Sequence, residues 1–177
     1  IVEADPDHKI PRSAGSVDRY PEGGAFFLAV GEAAIELRIA GVYLTQSVQR
    51  FDNSIPLVQG RNALLRVFLI ADEENPHRPM VRATFLRDGQ IVHQVDMLSE
   101  APSIPLTVQE GLLSRSWNAT IPGAILQPGV SLVVEADPGR LIPLKIGSEP
   151  RFPATGALPL NVRPVPPLWL RMIPIQQ

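Results

Sequence analysis

Residues 133–162 repeat residues 1–30 without a gap, and no other feature limits the fold of this chain so strongly. Displaced by 132 positions, Val2-Glu3-Ala4-Asp5-Pro6 recurs as Val134-Glu135-Ala136-Asp137-Pro138. Ile10-Pro11, Gly15-Ser16, Arg19, Pro21, Gly24-Ala25, Leu28 and Val30 recur as Ile142-Pro143, Gly147-Ser148, Arg151, Pro153, Gly156-Ala157, Leu160 and Val162. Fifteen of the 30 aligned residues are identical, too many for chance, so the sequence reads as a window on a tandem array. With one more residue of offset, Ile35, Leu37, Arg38, Ile39 and Val42 correspond to Leu168, Leu170, Arg171, Met172 and Ile175.

These offsets divide the chain into three. Residues 1–33 form the two-strand tail of one unit, 34–162 a complete unit of ordinary domain size, and 163–177 a proline-rich linker with the first strand of another. The flanks have two readings. They are remnants of neighbouring units in a longer polypeptide, or they are pairing arms that extend a neighbour's sheet by strand addition. In the second reading the inter-unit contacts fall to Val2, Asp5, Phe26, Leu28, Val30, Leu168, Leu170 and Ile173.

Hydrophobic residues make up 45%, enough for a real core, and the 19 prolines argue against helix, because proline is confined to turns, strand starts and sheet edges. A net charge of -2 with scattered Lys and Arg gives no footprint for nucleic acid. The absence of cysteine excludes disulfides and thiolate chemistry. No apolar run is long enough to span a bilayer, so direct membrane insertion is not expected, and an export signal would lie upstream of Ile1.

Strands are expected at 1–5 and 25–30, at 35–46 with Gly41 as a bulge or a switch between sheets, and at 55–58. Residues 63–71 (ALLRVFLIA) read as a central strand buried on both faces. Residues 81–87 and 90–98 flank Asp88-Gly89 as a hairpin with a type I′ turn. Further strands are expected at 112–121, 131–137 and 157–162, with 138–156 a long loop. Seven or eight strands at this spacing, without a convincing helix, point to an antiparallel sandwich of two sheets.

The stretch YLTQSVQRFDNSIPLVQGRNALLRVFL, Tyr43 to Leu69, resembles the immunoglobulin-like modules of large secreted bacterial proteins. In these a strand ending in Thr-Gln precedes a short strand, a Gly-Arg turn and an Arg-Val strand. VSLVVEADPGRLIP is similar to the strand and acidic turn near the end of bacterial cell-adhesion-related immunoglobulin-like repeats. Gly139, Arg140 and Leu141 depart from the acidic and Asn residues usual there. The resemblance covers most of Ile35 to Val162. It implies an all-β, antiparallel two-sheet immunoglobulin-like β-sandwich with extra flanking strands, extracellular or at the cell surface. It implies a non-enzymatic spacer or adhesion module; the alternatives are a filament subunit joined through its terminal arms, or an accessory domain of a secreted metallopeptidase. Expected partners are neighbouring copies or units, or a surface protein or glycan.

No catalytic, cofactor or metal site is expected. His8, His77 and His93 form no HExxH pattern, and His93 alternates with Ile91, Val95 and Met97 at the rim of a core. His77 lies in an acidic loop with Asp72, Glu73 and Glu74, which suits either a solvated loop or part of a calcium site. Glu3 with Asp5, and Glu135 with Asp137, place two carboxylates on one side of a strand end, where Asp before Pro starts a turn by bonding nearby amides. Ser13, Ser47, Ser54, Ser114 and Ser116 lack a nucleophile-elbow context. Asn118-Ala119-Thr120 is a formal glycosylation acceptor, and Trp117 and Trp169 are read as core or junction residues.

Overall fold

The computed structural model describes residues 34–166, Arg171, and the strand residues Val2, Glu3, Arg19 and Tyr20. The chain divides into two compact units, Ile1–Ala33 and Ala34–Gln177. In the first, β1 (Val2–Glu3) runs antiparallel to β2 (Arg19–Tyr20), with Val2 opposite Tyr20 and Glu3 opposite Arg19.

The second unit is all-β apart from one 3-10 turn among its described residues. Its strands are β3 (Leu37–Thr45), β4 (Leu57–Val58), β5 (Ala63–Ala71), β6 (Val81–Arg87), β7 (Gln90–Met97), β8 (Trp117–Ile121), β9 (Ser131–Ala136), β10 (Arg151–Phe152), β11 (Leu158–Pro159) and β12 (Val162–Arg163). One sheet has the order β3-β5-β8. The other has the order β10-β9-β6-β7, with β11 also on β9, and β12 runs parallel to β4. Val134 stands opposite Phe152 and Glu135 opposite Arg151. This is the β1–β2 register displaced by 132 residues.

Period-two alternation decides which side chains go inside. Leu37, Ile39, Val42 and Leu44 of β3, the odd-numbered residues 63–71 of β5, Val81, Ala83 and Phe85 of β6, and Leu132, Val134 and Ala136 of β9 share one buried core. Burying each of the larger aliphatic or aromatic side chains contributes about 1.5–3 kcal/mol, so a one-residue slip of any strand would forfeit several such terms at once. Trp117 on β8 is fully buried there, its indole N–H donating to Pro79 O at 2.8 Å. Between β6 and β7, Asp88 and Gly89 have φ of 51° and 76°, the two positive values that a type I′ turn requires.

Four local expectations change. Gly41 does not switch β3 between sheets; the extra residue, Ala40, is absorbed as a bulge and β3 stays on β5 throughout. Gly41 also leaves room for Phe51, since a Cβ there would lie 2.3 Å from its ring. Residues 112–116 are not strand: Leu113–Arg115 form the 3-10 turn, and β8 begins only at Trp117. The last expected strand is split, because β11 lies on β9 whereas β12 crosses to β4, and the expected long loop before it contains β10.

Candidate functional site

The unit's first strand is held along one edge by the repeated segment 143–149. Ile35 N–H donates to Pro143 O at 3.0 Å, Lys145 N–H to Ile35 O at 2.8 Å, Glu149 N–H to Leu37 O at 2.8 Å, and Ile39 N–H to Glu149 O at 3.1 Å. Ile35 bridges Leu144 and Arg38 bridges Glu149, both in parallel sense. Where the segment turns away, a side chain completes the seam: Leu37 N–H donates to Ser148 Oγ at 3.1 Å, and that hydroxyl donates to Lys145 O at 2.9 Å. Gly147, just before it, has φ of 101°, a conformation that side-chain-bearing residues rarely adopt. Pro143, Gly147 and Ser148 are three of the residues that the repeat retains, as Pro11, Gly15 and Ser16.

A charged clamp closes the same end. Lys145 Nζ reaches Asp72 Oδ2 and Glu73 Oε1, each at 2.5 Å, and Asp72 Oδ1 accepts Glu36 N–H at 2.8 Å. The Lys145 ammonium, helped by the Glu36 amide, holds the Asp72 carboxyl below its ordinary range. The two carboxylates in turn push Lys145 up. All three side chains are well exposed, so the clamp orders the loop more than it stabilises the fold.

Asp137 shapes the loop that leads into the seam. It is buried with φ of 50°, and its carboxylate accepts Leu141 N–H at 3.0 Å and Ile142 N–H at 2.9 Å. Asp137 therefore acts as a turn-forming carboxylate. Glu135 and Asp137 both line a cleft of about 650 Å³ together with Arg82, Arg140, Ile142 and Arg151. Arg82 donates through Nε and Nη2 to the two carboxylate oxygens of Asp96 at 2.7 and 2.8 Å, and Arg151 donates to the carbonyls of Pro153 and Gly156. Most of the charge around the cleft is thus committed to holding strands and loops.

A second polar cluster lies on the outer face of the β3-β5-β8 sheet. Arg66 is buried and donates to Ser116 Oγ at 3.0 and 3.2 Å, to Tyr43 Oη and Glu110 O at 3.0 Å, and to Leu112 O at 3.4 Å. Its guanidinium stands 4.8 Å from the Phe68 ring centroid, and Phe51 packs on Tyr43 and Phe68. Burial pushes the Tyr43 phenol up, and the neighbouring Arg66 charge opposes that shift. The cluster pins the 110–116 segment to the sheet, a structural role.

His93 sits half-buried with its ring 5.9 Å from that of Phe85, at the rim of the core. Asp72, Glu73 and Glu74 of the acidic loop are exposed, as a solvated loop requires, but His77 itself is buried: Asn75 ties the loop down, bonding Ile104 O and receiving the amides of His77 and Ile104. The Asn118 amide donates to Leu113 O and Ser116 O at 2.8 Å, so attachment of a glycan, which replaces one of its two hydrogens, would break at least one of these bonds. Val2 lies in β1. Asp5, Phe26, Leu28, Val30, Leu168, Leu170 and Ile173 lie outside the described residues, as do His8 and Trp169. Asp137, Leu160 and Val162, which correspond to Asp5, Leu28 and Val30, are buried in their own unit.

No protein-family model matches this chain, and no curated protein matches it either. The functional reading therefore rests on the repeat and on the geometry of the seam. Sequence reasoning placed the turn-forming role of Asp137 and missed both the seam and the Arg66 cluster. The signal for the seam was present in the retained Pro-x3-Gly-Ser spacing.

Proposed function

We propose that this chain is a non-catalytic immunoglobulin-like repeat, acting as a spacer or adhesion module in a tandem array outside the cell or at its surface. The observation that carries the proposal is the recurrence of one strand pairing in one register, Val2 with Tyr20 and Val134 with Phe152, in both copies of the repeated segment. The strand order supports the immunoglobulin-like part: β5 and β6 are consecutive but lie in different sheets, with β3-β5-β8 in one and β10-β9-β6-β7 in the other. The mechanical part follows from the parallel ladders. The chain enters beside segment 143–149 and leaves through β12 beside β4, so pulling on its ends shears hydrogen bonds together instead of unzipping them one by one. The prolines of Arg163-Pro164-Val165-Pro166-Pro167 stiffen the exit.

The test is to stretch the 177-residue chain between its ends in optical tweezers. A load-bearing spacer unfolds residues 34–163 in one cooperative step that releases roughly 3.3–3.6 Å of extended chain per residue. Peeling in small steps at forces that unzip a hairpin contradicts the proposal. A filament subunit is the second reading, favoured by one feature: Leu168–Ile175 repeats the pattern of the unit's own first strand. Its mark is a solution mass that rises with concentration.

A further inference from the structure

We propose that the open edge of β7 pairs antiparallel with β7 of a second copy of this chain, about a two-fold axis at Val95. The contact goes beyond the spacer reading and does not depend on it. β7 ends its sheet, with β6 on one side and, among the described residues, no backbone partner on the other. The edge of β3 shows how this fold closes an edge. Beyond the seam, Leu44 O accepts from the Gln49 side-chain amide at 3.1 Å and Val42 O from that of Asn53 at 2.9 Å. β7 has no such cover, and it carries neither Lys nor Pro, residues that commonly keep other strands away. Its one carboxylate, Asp96, is matched by Arg82 of the same sheet. A row of outward backbone donors and acceptors selects an extended strand as its partner.

β7 is complementary to itself in one register. Residues opposite each other in an antiparallel pair must share a face. Arg82, Thr84 and Leu86 alternate with the buried Val81, Ala83 and Phe85. Asp96, Gln94 and Ile91, which stand opposite the first three, therefore lie on the outer face, and Met97, Val95 and His93 on the inner. With the axis at Val95, Val95 meets its own counterpart, His93 meets Met97, and Gln94 meets Asp96. Gln94 Nε2 donates to Thr84 Oγ1 at 3.0 Å, and its second hydrogen can serve the Asp96 carboxylate of the second copy. The bulge at Val92 then sets Ile91 opposite Leu98. These two are 62% and 72% exposed, the most exposed apolar residues of the edge, and each would cover the other. Neighbouring registers match worse. An axis at Asp96 sets two carboxylates face to face, an axis at Gln94 sets Asp96 against Ile91, and a one-residue slip opposes inner to outer side chains.

The same patch serves both copies, so the contact closes at two and does not propagate. One strand pair is small beside the total of about 1,200–2,000 Å² that stable interfaces bury. The chain is therefore a monomer when dilute and pairs at millimolar concentration. Weak contacts of this kind add up where several units stand side by side.

Light scattering on the 177-residue chain should show a mass that rises toward millimolar concentration and levels at two copies, whereas a filament joined through its ends keeps rising. Over the same range the outward amides of β7, quick to exchange in dilute solution, should slow. The chain has no cysteine, so introduced thiols report only on themselves, and paired residues of a strand ladder lie within disulfide range. Copies carrying Gln94→Cys are mixed with copies carrying Asp96→Cys and oxidised. The mixture should give a disulfide dimer that neither variant gives comparably alone. Ile91→Lys, added to both, should abolish the dimer while urea unfolding of the dilute chain stays as in the wild type. A chain that remains monomeric at millimolar concentration overturns the proposal, as does a mass that passes two copies. So does a dimer that survives Ile91→Lys, or one whose thiols join as readily within each variant as between the two. None of these results touches the array reading, which the stretching experiment tests separately.

Discussion

The two long edges of the complete unit are managed in different ways. The edge of β3 is covered, because segment 143–149 takes up the backbone groups of Ile35, Leu37 and Ile39 and seats Ser148 against the strand. The edge of β7 is left open: among the described residues no backbone hydrogen bond runs outward from it, and Ile91 and Val92 are exposed. An open edge invites pairing with other chains, and proteins blunt such edges with charge, bulges or covering segments. On β7 the bulge at Val92, opposite Phe85 and Leu86 of β6, and the Arg82–Asp96 ion pair do this locally. Pro143, Gly147 and Ser148 of the β3 cover recur as Pro11, Gly15 and Ser16. The contrast teaches that one edge is closed by a later segment of the same chain while the other is protected only by local charge and a bulge.

The largest break in this contrast should come from Asp137→Ala. It removes a buried carboxylate from two amides and leaves alanine at a positive φ, for an expected loss of about 3 kcal/mol in urea unfolding. Ser148→Ala comes next, at about 1–2 kcal/mol, because the half-buried Leu37 N–H loses its acceptor while the core is untouched; the Leu37 amide should then exchange faster than its neighbours. Lys145→Met should cost little and sharpen the contrast through pH. The Asp72 carboxyl is depressed in the folded chain, so its contribution is present above the unfolded value near 3.8 and is lost as pH falls through the folded value. The stability difference between wild type and Lys145→Met should therefore persist at pH 5, shrink in stronger acid, and shrink with added salt. Ile91→Lys on the open edge is the smallest change, within about 0.5 kcal/mol of wild type by the same unfolding measurement.

Much of the all-β architecture was legible because its signals are local. Residues 63–71 announce a buried strand by an apolar run broken only at Arg66, and Asp88-Gly89 dictates a turn that needs two positive φ values. The Asp137 turn was legible for the same reason, since Asp-Pro carries its own acceptor. What could not be read depends on partners far along the chain. Arg66 interrupts an apolar run, but its partners at Tyr43, Glu110, Leu112 and Ser116 are fixed only by the fold. That demand turns residues 113–115 into a 3-10 turn, although Leu112 and Leu113 look like strand residues; both are exposed. The burial of His77 in an otherwise exposed loop could not be read, because nothing near it in sequence shows that Asn75 ties that loop to Ile104. The seam was hinted at by Gly147-Ser148 recurring at Gly15-Ser16, but a parallel bridge across more than a hundred residues leaves no periodicity to find.

Amide hydrogen exchange, measured residue by residue on the 177-residue chain, tests the central claim most directly. The Ile35, Leu37 and Ile39 amides should be protected together with Lys145 and Glu149, to nearly the level of the β5 core, while alternate amides of β7 exchange quickly from its open edge. Fast exchange at Ile35, Leu37 and Ile39 with β5 still protected would mean that the repeated segment does not hold the first strand, and the account would fail at its foundation.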